Sequence, residues 1–301
     1  MTAFIIDGKA MALQIRQEVA EAAANFKAES GVTPGLAAIL VGDDPASQIY
    51  VRNKGRACDE AGLFNEIFNL PADVAEAELM DLVQRLNGDD RFHGILVQLP
   101  LPGHIDSRKV LDSVSPDKDV DGLHPINAGR LLAGGDGFVP CTPAGVQQLL
   151  LRTGNDPAGK HVVVVGRSDI VGKPIAAIMM QKKPGANATV TVCHSATTDL
   201  PSITRSADIL VAAIGQPHFI KADMVKEGVV VIDVGTNRIE DSTKKSGYRL
   251  VGDVDFDAVA EKASAITPVP GGVGPMTIAM LLSNTLQSAK RMAEAGQSPR
   301  P

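Results

Sequence analysis

The feature that most constrains this chain is a run of four valines, residues 162–165, followed by a glycine-rich turn. Consecutive β-branched residues predict a strand buried on both faces. Gly166 ends the strand, and Gly172 follows six residues later, where a helix is expected to begin. A helix N-terminus offers unpaired N–H groups, and glycine lets the backbone approach a pyrophosphate. Because Ser168 replaces the second glycine of the usual G-x-G-x-x-G pattern, the sequence allows either a phosphate-binding turn or a turn alone.

The next predicted strand, residues 188–193, ends at His194 and Ser195 rather than at an acidic residue. Enzymes that prefer NAD usually carry Asp or Glu at this place to bind the ribose 2′-hydroxyl. Arg167 in the turn and Ser195 would instead offer a guanidinium and a hydroxyl to a 2′-phosphate. The pattern therefore predicts NADP as the cofactor, with a solvated loop residue as the alternative interpretation of Arg167.

Composition sets the outer bounds of the function. With 301 residues, 44% of them hydrophobic, the chain is long enough for a sizeable core and is expected to form two domains. A net charge of −6 argues against nucleic acid and acidic membranes as partners. Three widely separated cysteines without a C-x-x-C pattern favour reduced thiols and no metal site. The first residues lack the pattern of a signal peptide or membrane span, so we expect a cytoplasmic globular protein.

Strand and helix patterns alternate along the chain, which predicts an α/β fold with parallel sheets. In the first half, the predicted strands cover residues 4–6, 36–41, 66–70 and 94–99, and the predicted helices cover 9–29, 45–61 and 75–86. In the second half, the predicted strands cover 162–165, 188–193, 207–215 and 229–235, and the predicted helices cover 143–152, capped by Thr142, and 276–295. Residues 237–249 are expected to form a surface hairpin, and residues 296–301 a frayed tail.

Tyr50 and Lys54 are four residues apart on a predicted helix and share one of its faces. Such a pair suits carbonyl or iminium chemistry in which Lys54 moves a proton and Tyr50 orients it. A free lysine has a pKa near ~10.4, so proton transfer near neutrality needs a fall of about two to three units. Partial burial without a neighbouring carboxylate would give this fall, and neutral Gln98 could position the amine. The alternative is that Lys54 is a solvated helix residue.

The Y-x-x-x-K pattern and the acidic residue before Gly122 each have a second interpretation. Short-chain dehydrogenases also use Y-x-x-x-K, but in them the glycine turn precedes the pair, whereas here Tyr50 precedes Gly166 by about a hundred residues. Asp121 precedes Gly122 in a charged stretch, and this pattern alone predicts an Asx-type turn.

Seven motifs run in order across nearly the whole chain. They are Tyr50-Val51-Arg52-Asn53-Lys54, Val97-Gln98-Leu99-Pro100, Asp119-Val120-Asp121-Gly122, Pro140-Cys141-Thr142-Pro143, Gly166-Arg167-Ser168 with Val171-Gly172-Lys173-Pro174, Cys193-His194-Ser195, and Pro268-Val269-Pro270-Gly271-Gly272-Val273-Gly274-Pro275-Met276-Thr277. In this set the chain closely resembles the bifunctional methylenetetrahydrofolate dehydrogenase/methenyltetrahydrofolate cyclohydrolase family, which belongs to one-carbon metabolism.

The resemblance implies two consecutive reactions. The first passes a hydride from 5,10-methylenetetrahydrofolate to NADP+ and gives the methenyl cation, and the second adds water and opens that cation to 10-formyltetrahydrofolate. By this resemblance Lys54 is the central catalytic residue, Tyr50 stacks near the folate, and Gln98 tunes Lys54. Asp121 would hold the pterin, because a carboxylate accepts hydrogen bonds from a ring N–H and its amino group. The other substrate-binding residues implied are Val97, Leu99, Pro270, Gly271 and Gly274.

For the cofactor, the resemblance implies a site formed by Gly166, Arg167, Ser168, Ser195 and Thr236. The chain departs from the family pattern at two positions. Ala196 stands where a basic residue is frequent, which is expected to weaken the affinity for the 2′-phosphate. Thr236 itself stands where an aliphatic residue is common, so its contact is the less certain one.

The implied architecture has an N-terminal α/β catalytic domain that binds folate, residues 1–141, and a Rossmann-like NADP-binding domain with a parallel sheet, residues 142–275. A cleft between the two domains would hold both reactions, and the helix over 276–295 would pack back on the first domain. The resemblance also implies a homodimer. Two other functions stay open at this point, namely a dehydrogenase that has lost the cyclohydrolase activity and a catalytically silent NADP-binding module.

Overall fold

The computed structural model of the protein describes residues 3–244 and 247–297. The chain divides into two compact units. The nucleotide unit, as we name it from the expected phosphate turn, comprises Met1–Ala12 and Thr142–Thr277, and the lysine unit, which carries Lys54, comprises Leu13–Cys141 and Ile278–Pro301. Within the described ranges, every helix is too short or too polar to span a lipid bilayer.

The described residues contain eleven strands and ten α-helices. The strands are β1 Phe4–Ile5, β2 Gly35–Val41, β3 Phe64–Leu70, β4 Gly94–Val97, β5 His161–Val165, β6 Thr189–Cys193, β7 Ile209–Ala212, β8 Val230–Asp233, β9 Asn237–Glu240, β10 Tyr248–Val251 and β11 Ala265–Ile266. The helices are α1 Gly8–Ser30, α2 Pro45–Glu60, α3 Glu76–Asn87, α4 Ser107–Leu111, α5 Pro125–Leu132, α6 Cys141–Arg152, α7 Gly172–Met179, α8 Leu200–Arg205, α9 Phe256–Ala260 and α10 Val273–Gln297.

The nucleotide unit is built on a six-stranded parallel sheet with the order β1-β11-β8-β7-β5-β6. The four valines of β5 are buried, and β5 pairs with β6 on one side and with β7 on the other. A strand with neighbours on both edges and cover on both faces requires such an uninterrupted apolar run. The carboxyl ends of β5, β6, β7 and β8 therefore lie along one edge of the sheet, where open α/β sheets bind their ligands.

The lysine unit has a three-stranded parallel sheet with the order β3-β2-β4. All seven residues of the central strand β2 are buried. Helix α3 packs on this sheet, with Leu79 and Val83 in one core cluster with Ile39 and Ile95. This arrangement brings the start of α2 and the end of β4 to the same edge of the sheet, because both follow parallel neighbouring strands.

The predicted fold class, two α/β units with parallel sheets, is confirmed. One boundary differs from the expected one. Residues 1–141 were expected to form a single domain, but Phe4 and Ile5 of β1 pair with Ala265 and Ile266 of β11 in the nucleotide unit. A strand of two residues has too short a pattern to indicate its partner, which lies at the far end of the chain.

Element ends show the other differences. Helix α6 begins at Cys141, so Thr142 lies inside it rather than capping it. Helix α10 begins at Val273 and runs to Gln297, so the first two residues of the expected tail are helical, and residues 298–301 lie outside the described ranges. The expected surface hairpin is formed by β9 and β10, which pair antiparallel, while Lys245 and Ser246 within it also lie outside those ranges.

Candidate active site

Helix α2 presents Tyr50 and Lys54 on one face. The Asp44 side chain caps the helix by accepting the N–H of Ser47 at 2.7 Å, and Pro45 occupies the first turn, where no N–H is needed. Lys54 Nζ lies 5.8 Å from the centroid of the Tyr50 ring. Tyr50 is exposed and Lys54 is partly buried, so the helix places an accessible aromatic ring beside a sheltered amine.

Gln98 follows β4 and is the hydrogen-bond partner of that amine. Lys54 Nζ donates to Gln98 Oε1 at 2.9 Å, and Gln98 Nε2 donates to the carbonyl of Leu99 at 2.7 Å. The second bond fixes which end of the amide faces the lysine. The backbone is fixed as well, since Gln98 N donates to Ile39 O of the central strand at 2.9 Å. Val97 is buried and Leu99 is partly buried beside this site.

Burial lowers the pKa of Lys54, and the nearby Asp121 carboxylate and, to a lesser extent, Cys141 oppose this fall. The direction agrees with the sequence analysis. The segment between α4 and α5 brings the Asp121 carboxylate close to the amine, so burial lowers the pKa of Lys54 in spite of a neighbouring carboxylate. Burial also raises the pKa of the Cys141 thiol, and the charge of Asp121 raises it further. The thiol therefore stays protonated at neutral pH, which leaves Lys54 as the group suited to proton transfer.

The turn that carries Asp121 is held by its neighbour Asp119. The buried Asp119 carboxylate accepts the N–H groups of Leu123 at 3.1 Å and His124 at 2.9 Å, and the Nδ2 of Asn127 at 2.8 Å. Burial raises the pKa of Asp119 to about 6, against the effect of these three donors. The carboxylate that holds this turn is therefore that of Asp119, and its bonds to the backbone reach four and five residues further on rather than the two of an Asx turn.

The glycine turn after β5 is sterically restricted. Gly166 has φ of +125°, and a Cβ there would lie 2.1 Å from the carbonyl oxygen of Ala213. A Cβ on Gly172 would lie 2.1 Å from the carbonyl oxygen of Gly166. Ser168 bridges the turn, because its carbonyl accepts the N–H of Lys173 at 3.1 Å and its hydroxyl lies 3.4 Å from the N–H of Gly172. Only glycine fits at the two ends of this turn.

The remaining predicted cofactor residues lie at the same edge of the sheet. Arg167 and Ser168 follow β5, Ser195 follows β6, and Thr236 follows β8, and all four side chains are exposed. The parallel register of β5, β6, β7 and β8 brings their carboxyl ends to one side. In the described chain this edge therefore presents a guanidinium and several hydroxyls to solvent.

Two buried carboxylates organise the loops behind that edge. Asp253 accepts the consecutive N–H groups of Ile214, Gly215 and Gln216 at 2.6, 2.9 and 3.0 Å. Asp233, at the end of β8, accepts the N–H of Gly235 at 2.9 Å. These bonds fix the residues that follow β7 and β8.

The loop of Pro270, Gly271 and Gly272, which we call the Pro-Gly-Gly loop, was expected to contact the substrate and belongs to the nucleotide unit. Pro270 is exposed, and Gly271 has φ of +109°. The carbonyl of Gly271 accepts the N–H of Lys9 at 3.1 Å, and a Cβ on Gly8 would lie 1.8 Å from the carbonyl oxygen of Gly272. The loop, followed by Gly274 in the first turn of α10, is thus held by the first residues of the chain.

Two family profiles together cover most of the chain. The profile described as "Tetrahydrofolate dehydrogenase/cyclohydrolase, catalytic domain" matches residues 6–121, and the one described as "Tetrahydrofolate dehydrogenase/cyclohydrolase, NAD(P)-binding domain" matches residues 140–293. The chain belongs to this family. The family predicted from the sequence motifs, and with it the predicted pair of activities, is confirmed.

Relatives within the tetrahydrofolate dehydrogenase/cyclohydrolase family resemble the chain over nearly its full length. A bifunctional protein FolD of Chlorobium phaeobacteroides is 58% identical over 290 residues, which are 96% of this chain and 98% of that protein. The crystal structure of the FolD enzyme from Campylobacter jejuni has a TM-score of 0.90 and 49% identity, covering 96% of this chain and 99% of that one. The FolD structure from Trypanosoma brucei, complexed with NADP cofactor and inhibitor, has a TM-score of 0.92 and 44% identity, covering 99% and 100%.

The structure brings together, within the lysine unit, four residues that the sequence analysis singled out: Tyr50, Lys54, Gln98 and Asp121. It also reveals residues that the analysis missed. Asp119 was quoted only as part of a motif, and Asn284 and Ser288 were not noticed. A usable signal was present for the last two, since polar residues on the buried face of an otherwise apolar helix require partners.

Proposed function

We propose that Lys54 is the central catalytic residue, that it is the proton-transfer group of the hydrolysis, and that Gln98 and Asp121 set its protonation and position. The protein is an NADP-dependent methylenetetrahydrofolate dehydrogenase and methenyltetrahydrofolate cyclohydrolase. The observation that carries the assignment to Lys54 is its 2.9 Å hydrogen bond to the neutral Gln98 amide. A carboxylate at that distance would hold the proton on the amine, whereas an amide oxygen orients the amine and leaves its pKa lowered by burial.

The hydrolysis requires a base that tolerates a cationic substrate. The neutral amine of Lys54 accepts a proton from water as the oxygen bonds to the methenyl carbon of the folate. The bond from that carbon to N5 then breaks, N5 takes a proton, and the carbonyl of the formyl group forms on N10. One proton is released overall. A neutral Lys54 does not repel the methenyl cation, and the Asp121 carboxylate supplies an opposite charge near it.

Substrate recognition is assigned to residues around Lys54 and to the Pro-Gly-Gly loop. Asp121 accepts hydrogen bonds from the pterin, and the exposed Tyr50 ring stacks near the folate. Val97, Leu99, Pro270, Gly271 and Gly274 complete the set of substrate contacts. The ring and the carboxylate suit a flat heterocycle that has several N–H donors on one edge.

The residues at the carboxyl edge of the six-stranded sheet fit NADP. The turn of Gly166 and Gly172 has no space for a Cβ, which is the close backbone geometry that a pyrophosphate needs. Exposed Arg167 and Ser195 offer a guanidinium and a hydroxyl suited to the 2′-phosphate. We assign Gly166, Ser168 and Thr236 to the rest of the cofactor. Bound NADP+ supplies the hydride acceptor of the first reaction.

Replacing Lys54 by Met tests the assignment of the base. We expect the Lys54→Met variant to lose cyclohydrolase turnover by at least about 100-fold, as for the loss of a general base, and to keep its affinity for NADPH. Stopped-flow absorbance of methenyl hydrolysis and fluorescence titration with NADPH measure the two properties. Arg56→Met is the matched control, because Arg56 is a cation of the same helix with a side chain that is 72% exposed. Full cyclohydrolase activity in the Lys54 variant would reject the role.

A homodimer in the cytoplasm completes the proposal. The support for the dimer is β3, which is an edge strand of the three-stranded sheet and pairs only with β2 among the described strands. Ile67 on this strand is 36% exposed, and Phe64 is 39% exposed. Exposed apolar edge strands are ready to pair with another chain. The support for the cytoplasm is that Cys58, Cys141 and Cys193 are free and buried.

A charge placed on the edge strand tests the dimer. We expect Ile67→Lys to shift the protein from dimer to monomer in sedimentation-velocity runs at micromolar concentration. Leu132→Lys serves as the control, because Leu132 is 69% exposed on α5 of the same unit and is not part of the three-stranded sheet. A wild-type protein that sediments as a monomer would refute the dimer, as would an Ile67 variant whose dimer is unaffected.

A further inference from the structure

Asn284 and Ser288 are two of the buried polar residues of helix α10, and they lie one turn apart on the same face. Asn284 Nδ2 donates to the carbonyl of Val120 at 2.8 Å and to the carbonyl of Val139 at 3.1 Å. Ser288 Oγ lies 2.5 Å from the carbonyl of His93 and 2.8 Å from that of Asp117, either of which can accept its proton. All of these residues belong to the lysine unit.

Two of these bonds reach the segment of residues directly before Asp121. Ser288 contacts the segment at Asp117, before Asp119, and Asn284 contacts it at Val120, directly before Asp121. The thiol of Cys141 also faces the Val120 carbonyl, at 3.4 Å. On the far side of Asp121, Gly122 packs so closely on the backbone of Val139 and Pro140 that a Cβ would lie 2.6 Å from Pro140 N.

The bond to Val120 has a direct effect on Asp121. A peptide group is planar, so a hydrogen bond that fixes the Val120 carbonyl also fixes the N–H and Cα of Asp121. Fixing this peptide plane removes the rotation about ψ of Val120 from the motions that can turn the Asp121 side chain. Asp119 orders the residues after the turn, whereas Asn284 and Ser288 order those before it and tie them to a long helix.

We propose that Asn284 and Ser288 are positioning residues, which hold the Asp121 carboxylate in its place beside Lys54. They do not touch the substrate, and they act through the backbone of residues 117–120. The inference rests on the proposed role of Lys54 as the base. It adds that the C-terminal helix controls both the placement of the pterin-binding carboxylate and the electrostatic environment of the amine.

A clear electrostatic signature distinguishes positioning from mere support of the fold. Lys54 is faced by the Asp121 carboxylate, the Cys141 thiol, the neutral Gln98 amide and the Tyr50 ring. Of these, Asp121 does most to raise the pKa of Lys54. If Asp121 moves away, the pKa of Lys54 falls, and the rising limb of the cyclohydrolase pH profile moves to lower pH.

The test replaces Asn284 by Leu, which branches at the same atom and has no hydrogen-bond donor. We expect the rising limb to move down by about half a pH unit or more, in the same direction as in Asp121→Asn, and KM for the methenyl substrate to rise about tenfold with a smaller change in kcat. Thr285→Val is the matched control, because the buried Thr285 hydroxyl bonds only within α10, to Leu281 O at 2.8 Å, among the described contacts. We expect this control to leave the position of the rising limb and the KM for the methenyl substrate unchanged.

Ser288 supplies a second route if Asn284→Leu does not fold. Ser288→Ala removes the donor and is expected to shift the limb and KM in the same directions, while Ser288→Thr keeps the hydroxyl and restores both. The inference is overturned if folded Asn284 or Ser288 variants keep the wild-type limb and KM, or if Thr285→Val shifts them equally. A wild-type protein without cyclohydrolase turnover, or an unaltered Lys54→Met variant, would instead refute the proposed function.

Discussion

At the scale of single residues, the pairing of Lys54 with an amide rather than an acid determines what the site can do. The Gln98 oxygen at 2.9 Å orients the amine, and its Nε2 is engaged by the carbonyl of Leu99. Asp121 supplies a nearby negative charge, so the amine experiences burial and a single opposing carboxylate. A second carboxylate in hydrogen-bond contact would convert a partly neutral base into a fixed cation.

Replacing Gln98 by Glu tests this balance. A carboxylate in contact with the amine is expected to raise the pKa of Lys54 by about one to three units. The rate of hydrolysis at neutral pH then falls by about tenfold for each unit, and the rising limb of the pH profile moves to higher pH. Measuring cyclohydrolase kcat from pH 6 to pH 10 checks both effects. A shift of the limb to lower pH would contradict this explanation of Gln98.

Gln98→Leu is the companion variant. It replaces the amide by an apolar side chain of similar size and removes the hydrogen bond to Lys54 without adding charge. We expect it to lower kcat through poor orientation of the amine, and to leave the limb near its wild-type position or slightly below it.

At the scale of elements, the strand, turn and helix formed by β5 and α7 depend on two glycines. Gly166→Ala places a Cβ 2.1 Å from the Ala213 carbonyl, at a φ of +125° that alanine rarely adopts. We expect a loss of about 1–3 kcal/mol of stability and at least a tenfold weaker affinity for NADPH, because the turn must widen. Thermal unfolding and fluorescence titration measure the two effects.

The matched control is Gly129→Ala in helix α5, where the added Cβ has no neighbour within 4 Å beyond the adjoining residues and the backbone of the helix itself. Alanine in a helix interior is favoured over glycine by about 0.5–1 kcal/mol, so this variant should be as stable as the wild type or more so. Its affinity for NADPH should be unchanged. Equal NADPH affinities for the Gly166 and wild-type proteins would remove the argument for a phosphate-binding turn.

The same scale shows what the sequence could and could not reveal. Long periodic elements were predicted nearly to the residue, as for α2, where the Asp44 cap and Pro45 mark the start. Helices α4 and α5 were missed, because five and eight residues carry little periodicity. The partner of β1 could not be found, since pairing across the chain leaves no local pattern.

In the site, too, the residues with a local sequence pattern were predicted and those that depend on distant contacts were not. Tyr50, Lys54 and Gln98 were found because their chemistry shows in the sequence, and the direction of the Lys54 pKa was predicted correctly. The closeness of Asp121 to Lys54 was implied only by the family resemblance, since it depends on how the segment between α4 and α5 folds back towards α2. The roles of Asp119, Asp253, Asn284 and Ser288 depend on hydrogen bonds to distant backbone groups, which only coordinates reveal.

At the scale of the whole molecule, each unit contains a buried carboxyl with a raised pKa. Burial raises the pKa of Asp119 to about 6 in the lysine unit, and the pKa of Asp233 to about 6 in the nucleotide unit. An unfolded aspartate has a pKa near ~3.9, so the folded protein binds these protons more tightly. The stability that each group contributes is therefore complete below about pH 4 and is lost as the pH rises through about 6.

Asp233→Asn tests this linkage. Since asparagine does not titrate here, the difference in unfolding free energy between wild type and variant should fall by roughly 3 kcal/mol between pH 4 and pH 7 and then stay constant. Urea unfolding at each pH measures it. Asp241→Asn is the control, because hydrogen bonds from Thr243 lower the pKa of this carboxyl, and its effect should be constant above about pH 5. A difference for Asp233 that rises with pH would contradict the sign.

The crossing of the chain ends between the two units bears on how such enzymes can be recombined. Strand β1 completes the sheet of the nucleotide unit, whereas the second part of α10 supplies Asn284 and Ser288 to the lysine unit. In a chimaera of two relatives joined at a single crossover near Thr142, the nucleotide unit would therefore carry β1 of the other relative. The lysine unit would likewise carry Asn284 and Ser288 of the other relative. Three crossovers, near residues 12, 142 and 277, would exchange the whole nucleotide unit between relatives and leave each unit with all of its own segments.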